Sequence, residues 1–194
     1  MKKALILAIY NSKNTVFSIK DIALIWGESN ARLVKTRIYR YIKAGKLYAI
    51  RKGFYAKDKN YNKYELAAKI YTPSYISFET VLARAGITFQ YYGQIFVASY
   101  LTREITVDGQ THSYKKIKDA ILTDKTGIEV KDNYFIASPE RAFLDVVYLN
   151  KEYHFDNLIN IDWNKVYEIL PIYDNKRMEE RVKRYKEAMQ KEFA

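Results

Sequence analysis

Apolar residues near the start of the chain recur with helical spacing and predict three short helices. The apolar side of the first is made of Leu5, Ile6, Ile9 and Tyr10. The second is expected over residues 19–26, with Ser18 as its N-cap and Gly27 at its end. The third covers the segment NARLVKTRIYRYIKA, with Ser29 as its N-cap and Gly45 as the residue that ends it.

The third predicted helix has two chemically different sides. At about 100° per residue, its apolar side holds Leu33, Val34, Ile38 and Tyr41, with Ala31 and Ile42 at the margin. Its opposite side holds Arg32, Lys35, Thr36, Tyr39, Arg40 and Lys43. Arg37 lies within the apolar arc, so we expect it to pair with Asp21 or another acidic residue and not to belong to the basic side.

Two short strands are predicted directly after the third helix, over Leu47–Ile50 and Phe54–Ala56. The tight turn Arg51-Lys52-Gly53 joins them and gives the hairpin a basic tip. A helix, a second helix, a basic third helix and a basic-tipped hairpin follow one another in the order of a winged helix-turn-helix. We therefore assign residues 1–60 to such a domain.

Residues 61–194 alternate between helical segments and pairs of strands. Helices are predicted in KYELAAKIYT, PSYISFETVLARAGI and SPERAFLDVVYL, near Asn164–Leu170, and in the charged segment from Lys176. Strands flank Asp108-Gly109 and a second turn around Lys131, Asp132 and Asn133, which indicates two hairpins. The chain is therefore expected to be α+β, with an N-terminal winged helix-turn-helix followed by a mixed α+β domain.

Capping residues define where two of these helices begin. Ser77 is expected to cap the helix in PSYISFETVLARAGI, with Glu79 in its first turn and Gly86 at its end. Ser138 is expected to cap the helix in SPERAFLDVVYL, where Pro139 takes the first helical position. In the last helix, a narrow apolar stripe is expected to pack onto its own domain: Met178, Val182, Tyr185 and Met189.

The net charge of +11 lies entirely in the first third of the chain. Up to Lys59 there are 14 basic and 3 acidic residues, whereas the remainder carries 19 of each. A one-sided basic field attracts a polyanion, because each phosphate that Lys or Arg neutralises releases a condensed counterion. Nucleic acid and an anionic membrane are both such partners, and a solubilising surface is the plainer alternative.

Several classes of protein are excluded by composition. The chain has no cysteine, which excludes disulfides, thiolate nucleophiles and zinc ribbons. The opening MKKALILAIYNSK resembles a signal peptide, but its apolar run is short and no small-x-small cleavage site follows. No apolar stretch approaches the roughly 18 residues of a membrane span, so we expect a cytoplasmic protein that does not enter membranes.

The basic side of the third helix is the candidate DNA-binding surface. A helix fits the major groove of DNA, where Arg can donate two hydrogen bonds to guanine while Lys and Thr reach phosphates or thymine methyls. The hairpin tip of a winged domain reaches the flanking backbone or minor groove. The predicted DNA-binding residues are Arg32, Lys35, Thr36, Tyr39, Arg40, Lys43, Arg51 and Lys52. A winged helix used only for protein contacts is the alternative.

Four segments of the chain resemble AbiEi antitoxins of type IV toxin–antitoxin and abortive-infection systems. In order, they are FSIKDIALIWG, YIKAGKLYAIRKGFYA, PSYISFETVLARAGI and FIASPERAFLDVVYL, and they cover most of the chain up to about Leu170. The resemblance implies a winged-helix domain that represses its own operon by binding inverted repeats in double-stranded promoter DNA. It also implies a C-terminal domain that counteracts a nucleotidyltransferase-like toxin, with or without direct contact.

Five polar residues of the C-terminal part match positions of that family. They are Ser77, Glu79, Glu140, Arg141 and Asp145. Helix capping and folding account for them equally well. Arg141 and Asp145 lie four residues apart on one predicted helix, so they are first of all expected to form an intrahelical ion pair.

Two other functions stay open from the sequence. A ligand-sensing C-terminal domain could use some of the chain's 19 tyrosines to line a pocket, although tyrosines also pack strands and interfaces. A metal-dependent nuclease could use Glu129 and Lys131 as an E-x-K motif, with Asp119 or Asp124 as the preceding acid. His112 and His154 lack ligand or triad spacing and are expected to be ordinary surface or strand residues. We expect no catalytic residue, metal or cofactor.

Overall fold

The computed structural model describes residues 2–90 and 92–192, and its fold is mixed α+β. We call residues 2–60 the N-terminal unit and residues 61–192 the C-terminal unit. The elements of the N-terminal unit are α1 (Lys2–Asn11), β1 (Val16–Ser18), α2 (Ile19–Trp26), α3 (Ala31–Lys43), β2 (Tyr48–Arg51) and β3 (Phe54–Ala56). Its three strands form one antiparallel sheet in the order β1-β3-β2.

Local capping fixes the ends of the two central helices. Ser18 and Asp21 form a reciprocal capping box at the start of α2, and Gly27 ends the helix at φ 60°, as the sequence predicts. The predicted N-cap of α3 is wrong by one residue, because Asn30 and not Ser29 caps the helix. The Asn30 carboxamide oxygen accepts backbone N–H bonds from Arg32 and Leu33 at 3.0 and 3.2 Å.

Two further expectations for the N-terminal unit are corrected. Leu33 was expected on the buried side of α3 but is 45% exposed, because the buried row is narrow and runs through Val34 and Ile38. The segment before α2, where no strand was predicted, pairs with β3 as β1. A three-residue strand is too short to show a period of two in the sequence, and its partner lies some forty residues further along.

The C-terminal unit is built on a six-stranded mixed sheet. Its strands are β4 (Ser74–Ile76), β5 (Gln94–Ser99), β6 (Arg103–Val107), β7 (Gln110–Lys116), β8 (Ile128–Lys131) and β9 (Tyr134–Ala137), in the order β6-β7-β5-β4-β9-β8. Strands β4 and β9, and strands β5 and β7, are parallel, and the other neighbours are antiparallel. Both predicted hairpins, β6–β7 and β8–β9, are confirmed.

Six α-helices accompany this sheet within the described residues, and a 3₁₀ turn covers Leu170–Tyr173. The helices are α4 (Lys63–Ile70), α5 (Glu79–Arg84), α6 (Asp119–Thr123), α7 (Pro139–Leu149), α8 (Trp163–Ile169) and α9 (Lys176–Glu192). The predicted start of α7 is confirmed, because the Ser138 hydroxyl accepts the N–H of Arg141. The stripe on α9 packs onto its own unit as expected, with Met178 and Val182 fully buried.

The predicted N-cap role of Ser77 is wrong. Helix α5 begins at Glu79, and no side chain caps it; the preceding Phe78 has φ 56°. The Ser77 hydroxyl instead donates to the Asp145 carboxylate at 2.7 Å. Burying a carboxylate is costly unless nearby donors form hydrogen bonds with it. Pairing the carboxylate therefore outweighs capping a short helix, whose first backbone N–H groups can find other partners.

Asp145 is the centre of a polar cluster that is entirely enclosed by the core. The hydroxyls of Tyr75, Ser77 and Tyr173 donate to its carboxylate, and the Nε atom of Arg141 lies 3.5 Å from it. Asp145 and Arg141 are both fully buried, and their predicted intrahelical pair is confirmed. Burial raises the pKa of the Asp145 carboxyl, and the charge of Arg141 opposes this shift.

The Arg141 guanidinium is also held by backbone carbonyl groups. It donates to the carbonyl oxygen of Thr126 at 2.8 Å and to that of Ile121 at 2.7 Å. The cluster thereby joins β4, α6, α7 and the 3₁₀ turn, which are distant in sequence. Burial and the neighbouring Asp145 raise the pKa of Tyr75 and of Tyr173, so both hydroxyls keep the protons that they donate.

Replacing Asp145 with Ala should destabilise the protein by about 3 to 5 kcal/mol, because it leaves the Arg141 charge buried without its partner. Urea unfolding followed by circular dichroism would measure this loss. The matched control is Glu187→Ala, which removes a carboxylate from an exposed pair with Lys183 and should change stability by less than about 1 kcal/mol. Equal stability of the two variants would show that the buried cluster does not hold the fold.

Candidate nucleic-acid interface

The basic side of α3 is exposed along its whole length. All six predicted residues on that side lie at the surface: Arg32, Lys35, Thr36, Tyr39, Arg40 and Lys43. Val34 and Ile38 on the opposite side are buried against the remaining helices of the N-terminal unit. The structure therefore brings these six residues together on one accessible helix face, as their spacing predicts.

The charges of this face are not neutralised within the protein. In the described ranges, Arg32, Lys35, Arg40 and Lys43 make no ion pair with a carboxylate. Arg32 and Thr36 are joined only locally, because the Thr36 hydroxyl donates to the Arg32 carbonyl oxygen. The Lys43 ammonium lies over the Tyr39 ring, 4.9 Å from its centroid. Guanidinium and ammonium groups without a carboxylate partner are available to phosphates and to the acceptors of guanine.

Acidic residues close to the helices have other partners. Arg37 pairs with an acidic residue as expected, and that residue is Glu28, with 2.9 Å between Nη1 and Oε2. Asp21 caps α2 and lies 3.6 Å from Lys69. Both carboxylates in the helix-turn-helix segment are thus occupied away from the basic side of α3.

The hairpin tip is shorter than the sequence predicts. Only Lys52 and Gly53 form the turn between β2 and β3, and Lys52 is exposed. Arg51 lies inside β2, beside a register shift, and is half-buried. Its Nη1 atom is buried and has no hydrogen-bond partner. The structure thus places Lys52 at the exposed tip and Arg51 at the end of β2, close enough to His112 for the guanidinium charge to lower the pKa of that imidazole.

The inner side of the hairpin packs on the C-terminal unit. Val16, Ile50 and Ala56 form one buried apolar cluster with Leu66 and Val107. Leu66 belongs to α4 and Val107 ends β6, so the cluster extends across the expected boundary between residues 60 and 61. Burial of apolar surface stabilises such a contact by roughly 25 cal/mol per Å². The hairpin is therefore supported from below by the second unit.

A carboxylate at the β6–β7 turn holds the same hairpin. Asp108 accepts hydrogen bonds from the hydroxyl of Tyr48 on β2 at 3.1 Å and from that of Tyr61 at 2.8 Å. The two rings stack with 6.4 Å between their centroids. Burial and the bond to Asp108 raise the pKa of Tyr61, which keeps the hydroxyl protonated as a donor. The sequence predicts neither hydrogen bond, because they join residues 60 and 47 positions apart.

A second polar contact joins the units on the side of β1. The backbone N–H and hydroxyl of Thr15 donate to the buried Glu65 carboxylate at 2.9 and 2.7 Å. Lys69 pairs with Glu65 at 3.0 Å and donates to the carbonyl oxygen of Val16 at 2.6 Å. With the apolar cluster and Asp108, these bonds fix the hairpin and β1 relative to the C-terminal sheet.

The two histidines differ strongly in their surroundings. His112 lies on β7, is fully buried, and neither ring nitrogen has a hydrogen-bond partner. Burial lowers its pKa to about 4, with smaller contributions from Lys63 and Arg51. His154 is exposed and lies 3.6 Å from Asp156. The structure therefore places His112 beneath the hairpin as a neutral strand residue.

The residues of the nuclease hypothesis do not form a metal site in the described part of the chain. Glu129 and Lys131 are exposed on β8. Hydrogen bonds from the side chain and from the backbone N–H of Thr126 lower the pKa of the Asp124 carboxyl. Within residues 2–90 and 92–192, no three His, Asp or Glu side chains are grouped so that they could hold a metal ion.

The tyrosines of the C-terminal unit are divided between core and surface. Tyr75, Tyr114 and Tyr173 are buried in the core, and Tyr75 also borders a cavity of about 320 Å³ together with Tyr134 and Phe135. A groove of about 1010 Å³ is open to solvent along α9, and its lining includes Tyr148, Tyr153, Arg177, Arg181 and Arg184. Nothing in this groove selects a particular small molecule.

Models of known protein families do not match this chain, and a search of curated proteins finds no match either. Across residues 2–90 and 92–192, every helix is too short or too polar to cross a bilayer.

Acidification should destabilise the protein through His112. Its pKa of about 4 in the folded protein lies below the ordinary value of 6.5, so the unfolded chain binds the proton more tightly. Stability is then fully retained above pH 6.5 and falls as the pH drops from 6.5 to 4, by about 3 kcal/mol at most. Urea unfolding across this range would measure it. His112→Leu should flatten the profile, whereas the control His154→Gln should leave it unchanged.

Proposed function

We propose that this chain is a double-stranded-DNA-binding transcriptional regulator that uses α3 as its recognition helix and the β2–β3 hairpin as its wing. The observation that carries the proposal is the exposed side of α3, where four unpaired cations alternate with Thr36 and Tyr39. The element order α1-β1-α2-α3-β2-β3 and the three-stranded sheet support the proposal of a winged helix-turn-helix.

The mode of recognition follows from the chemistry of this face. Arg32 and Arg40 lie eight residues apart, so they project from the same side of the helix about two turns apart along its axis. Guanidinium groups can each donate two hydrogen bonds to a guanine edge, whereas Lys35 and Lys43 reach phosphates as point charges. Lys52 extends from the wing to the adjacent backbone. Arg51, half-buried at the end of β2, adds positive charge beside Lys52.

The proposed biological role is that of an antitoxin that represses its own operon. The four segments that resemble AbiEi antitoxins support it, and these segments lie in both units. On this proposal, the N-terminal unit binds inverted repeats in the promoter, and the C-terminal unit counteracts a nucleotidyltransferase-like toxin. The zero net charge of residues 60–194 is consistent with a second unit whose main task is not to bind a polyanion.

Single alanine substitutions on the proposed face should weaken promoter binding without loss of fold. Arg32→Ala, Arg40→Ala and Lys52→Ala each remove an exposed, unpaired cation. Each lost phosphate contact should reduce the slope of log affinity against log salt by about 0.9. Electrophoretic shifts with the operon's own promoter, repeated at several salt concentrations, would measure both quantities.

The matched control for these variants is Arg37→Ala, which removes the same charge from the same helix but from a residue paired with Glu28. It should bind DNA nearly as well as the unchanged protein. Unchanged shifts for all three test variants, or an equal loss for Arg37→Ala, would rule out this face as the DNA-binding surface.

Repression and antitoxin activity should be separable. The double variant Arg32→Ala/Arg40→Ala should lose repression yet still protect cells from the toxin, because the substitutions leave the C-terminal unit intact. The test expresses the neighbouring nucleotidyltransferase gene from an unrelated promoter and counts survivors. Loss of protection at normal protein abundance would place antitoxin activity on the basic face itself.

A further inference from the structure

The outer edge of β8 is an unused side of the six-stranded sheet. Strand β8 pairs only with β9, in a register that sets Lys131 opposite Tyr134 and Val130 opposite Phe135. Lys131 and Tyr134 flank a two-residue turn and so exchange backbone hydrogen bonds, which leaves the N–H and C=O of Val130 pointing away from β9. These two groups are free to pair with another strand.

Strand β8 carries one exposed apolar side chain, Val130, between two exposed charged residues, Glu129 and Lys131. Val130 is 70% exposed and its cross-strand neighbour Phe135 is 40% exposed. At the opposite edge of the sheet, the exposed side chains of β6 are polar: Arg103, Glu104 and Thr106. Charged and polar residues discourage edge pairing, whereas an exposed apolar edge permits it. The β8 edge therefore differs from the β6 edge by its exposed apolar pair, Val130 and Phe135.

The sequence of β8 is complementary to itself in one antiparallel register. When two copies pair around a two-fold axis at Val130, each Val130 faces the Val130 of the other copy. Glu129 then faces Lys131 of the other copy, twice, because the residues one step either side of the axis exchange places. On the other face of the sheet, the two valines lie between the two Phe135 rings and extend one apolar row across the axis.

We propose that β8 is a self-association surface, through which two copies of this chain join their six-stranded sheets edge to edge around Val130. The partner is a second copy because the sequence Glu-Val-Lys, paired antiparallel with itself, sets opposite charges against each other. An unrelated strand would match this charge order only by chance. The backbone groups of Val130 supply two hydrogen bonds, and the Glu129–Lys131 pairs fix the register. This inference does not depend on DNA binding.

The expected dimer is weak and reversible. A strand of four residues buries far less than the roughly 1,200 Å² of a standard stable interface. Two copies held close together, at high concentration or on adjacent sites of one partner, would gain the contact at little further entropic cost. A covalent trap is therefore the appropriate first measurement.

The absence of cysteine from the chain makes that trap specific. In Val130→Cys, the two thiols face each other across the axis, and mild oxidation should give a disulfide-linked dimer on a non-reducing gel. The control Leu24→Cys places the thiol at a more exposed position on α2, at 83% exposure, and should crosslink far more slowly. Equal rates for the two variants would contradict pairing at β8.

Charge exchange tests the register itself. Glu129→Lys sets like charges opposite each other in a self-pair, and so does Lys131→Glu, so each variant alone should associate about 2- to 30-fold more weakly. A mixture of the two restores both opposite-charge pairs and should regain association. Sedimentation velocity and Val130→Cys crosslinking in each background would measure this.

Both residues are exposed, so folding should be unaffected, and unfolding midpoints would verify it. Only the two-fold register predicts that two defective variants complement each other. If the mixture associates no better than either variant alone, or if the single variants associate like the unchanged chain, the proposal is wrong.

Discussion

The requirement that a buried carboxylate be fully paired organises the C-terminal unit. Asp145 lies at the centre of the core without any exposure, and its charge is tolerable only because Arg141 and three hydroxyls surround it. Those donors come from β4, from the loop after it, from α7 and from the 3₁₀ turn. The same requirement explains why Ser77 turns inward and leaves α5 without a side-chain cap.

The C-terminal unit that this buried cluster organises also contacts the hairpin of the proposed DNA-binding surface. The β6–β7 hairpin ends at Val107 and Asp108, and both residues contact the β2–β3 hairpin from below. The proposed wing is thus a hairpin with Lys52 exposed near its tip and with an inner side that packs against another sheet. A two-stranded hairpin is only marginally stable alone, so the position of Lys52 relative to α3 depends on contacts that the N-terminal unit does not contain.

The features that the sequence predicted are mostly local, and those it missed join distant segments. Gly27, Ser138 and the turn at Asp108-Gly109 act within four residues of chain, so their chemistry can be read directly. The six residues on the basic side of α3 follow from helical geometry alone. By contrast, the half-buried position of Arg51 depends on the sheet of the other unit, whose strand order no local pattern encodes. DNA binding and antitoxin activity stay predictions.

The acidic residues that join the two units bind partners other than the cations on the basic side of α3. Asp108 accepts from two neutral tyrosine hydroxyls, and Glu65 accepts from Thr15 and pairs with Lys69 of its own helix. Neither carboxylate pairs with a cation of α3, although the N-terminal unit carries many basic residues. The contact between the units therefore does not compete with a polyanion for the same charges, and the positive field at α3 persists while the wing is held in place.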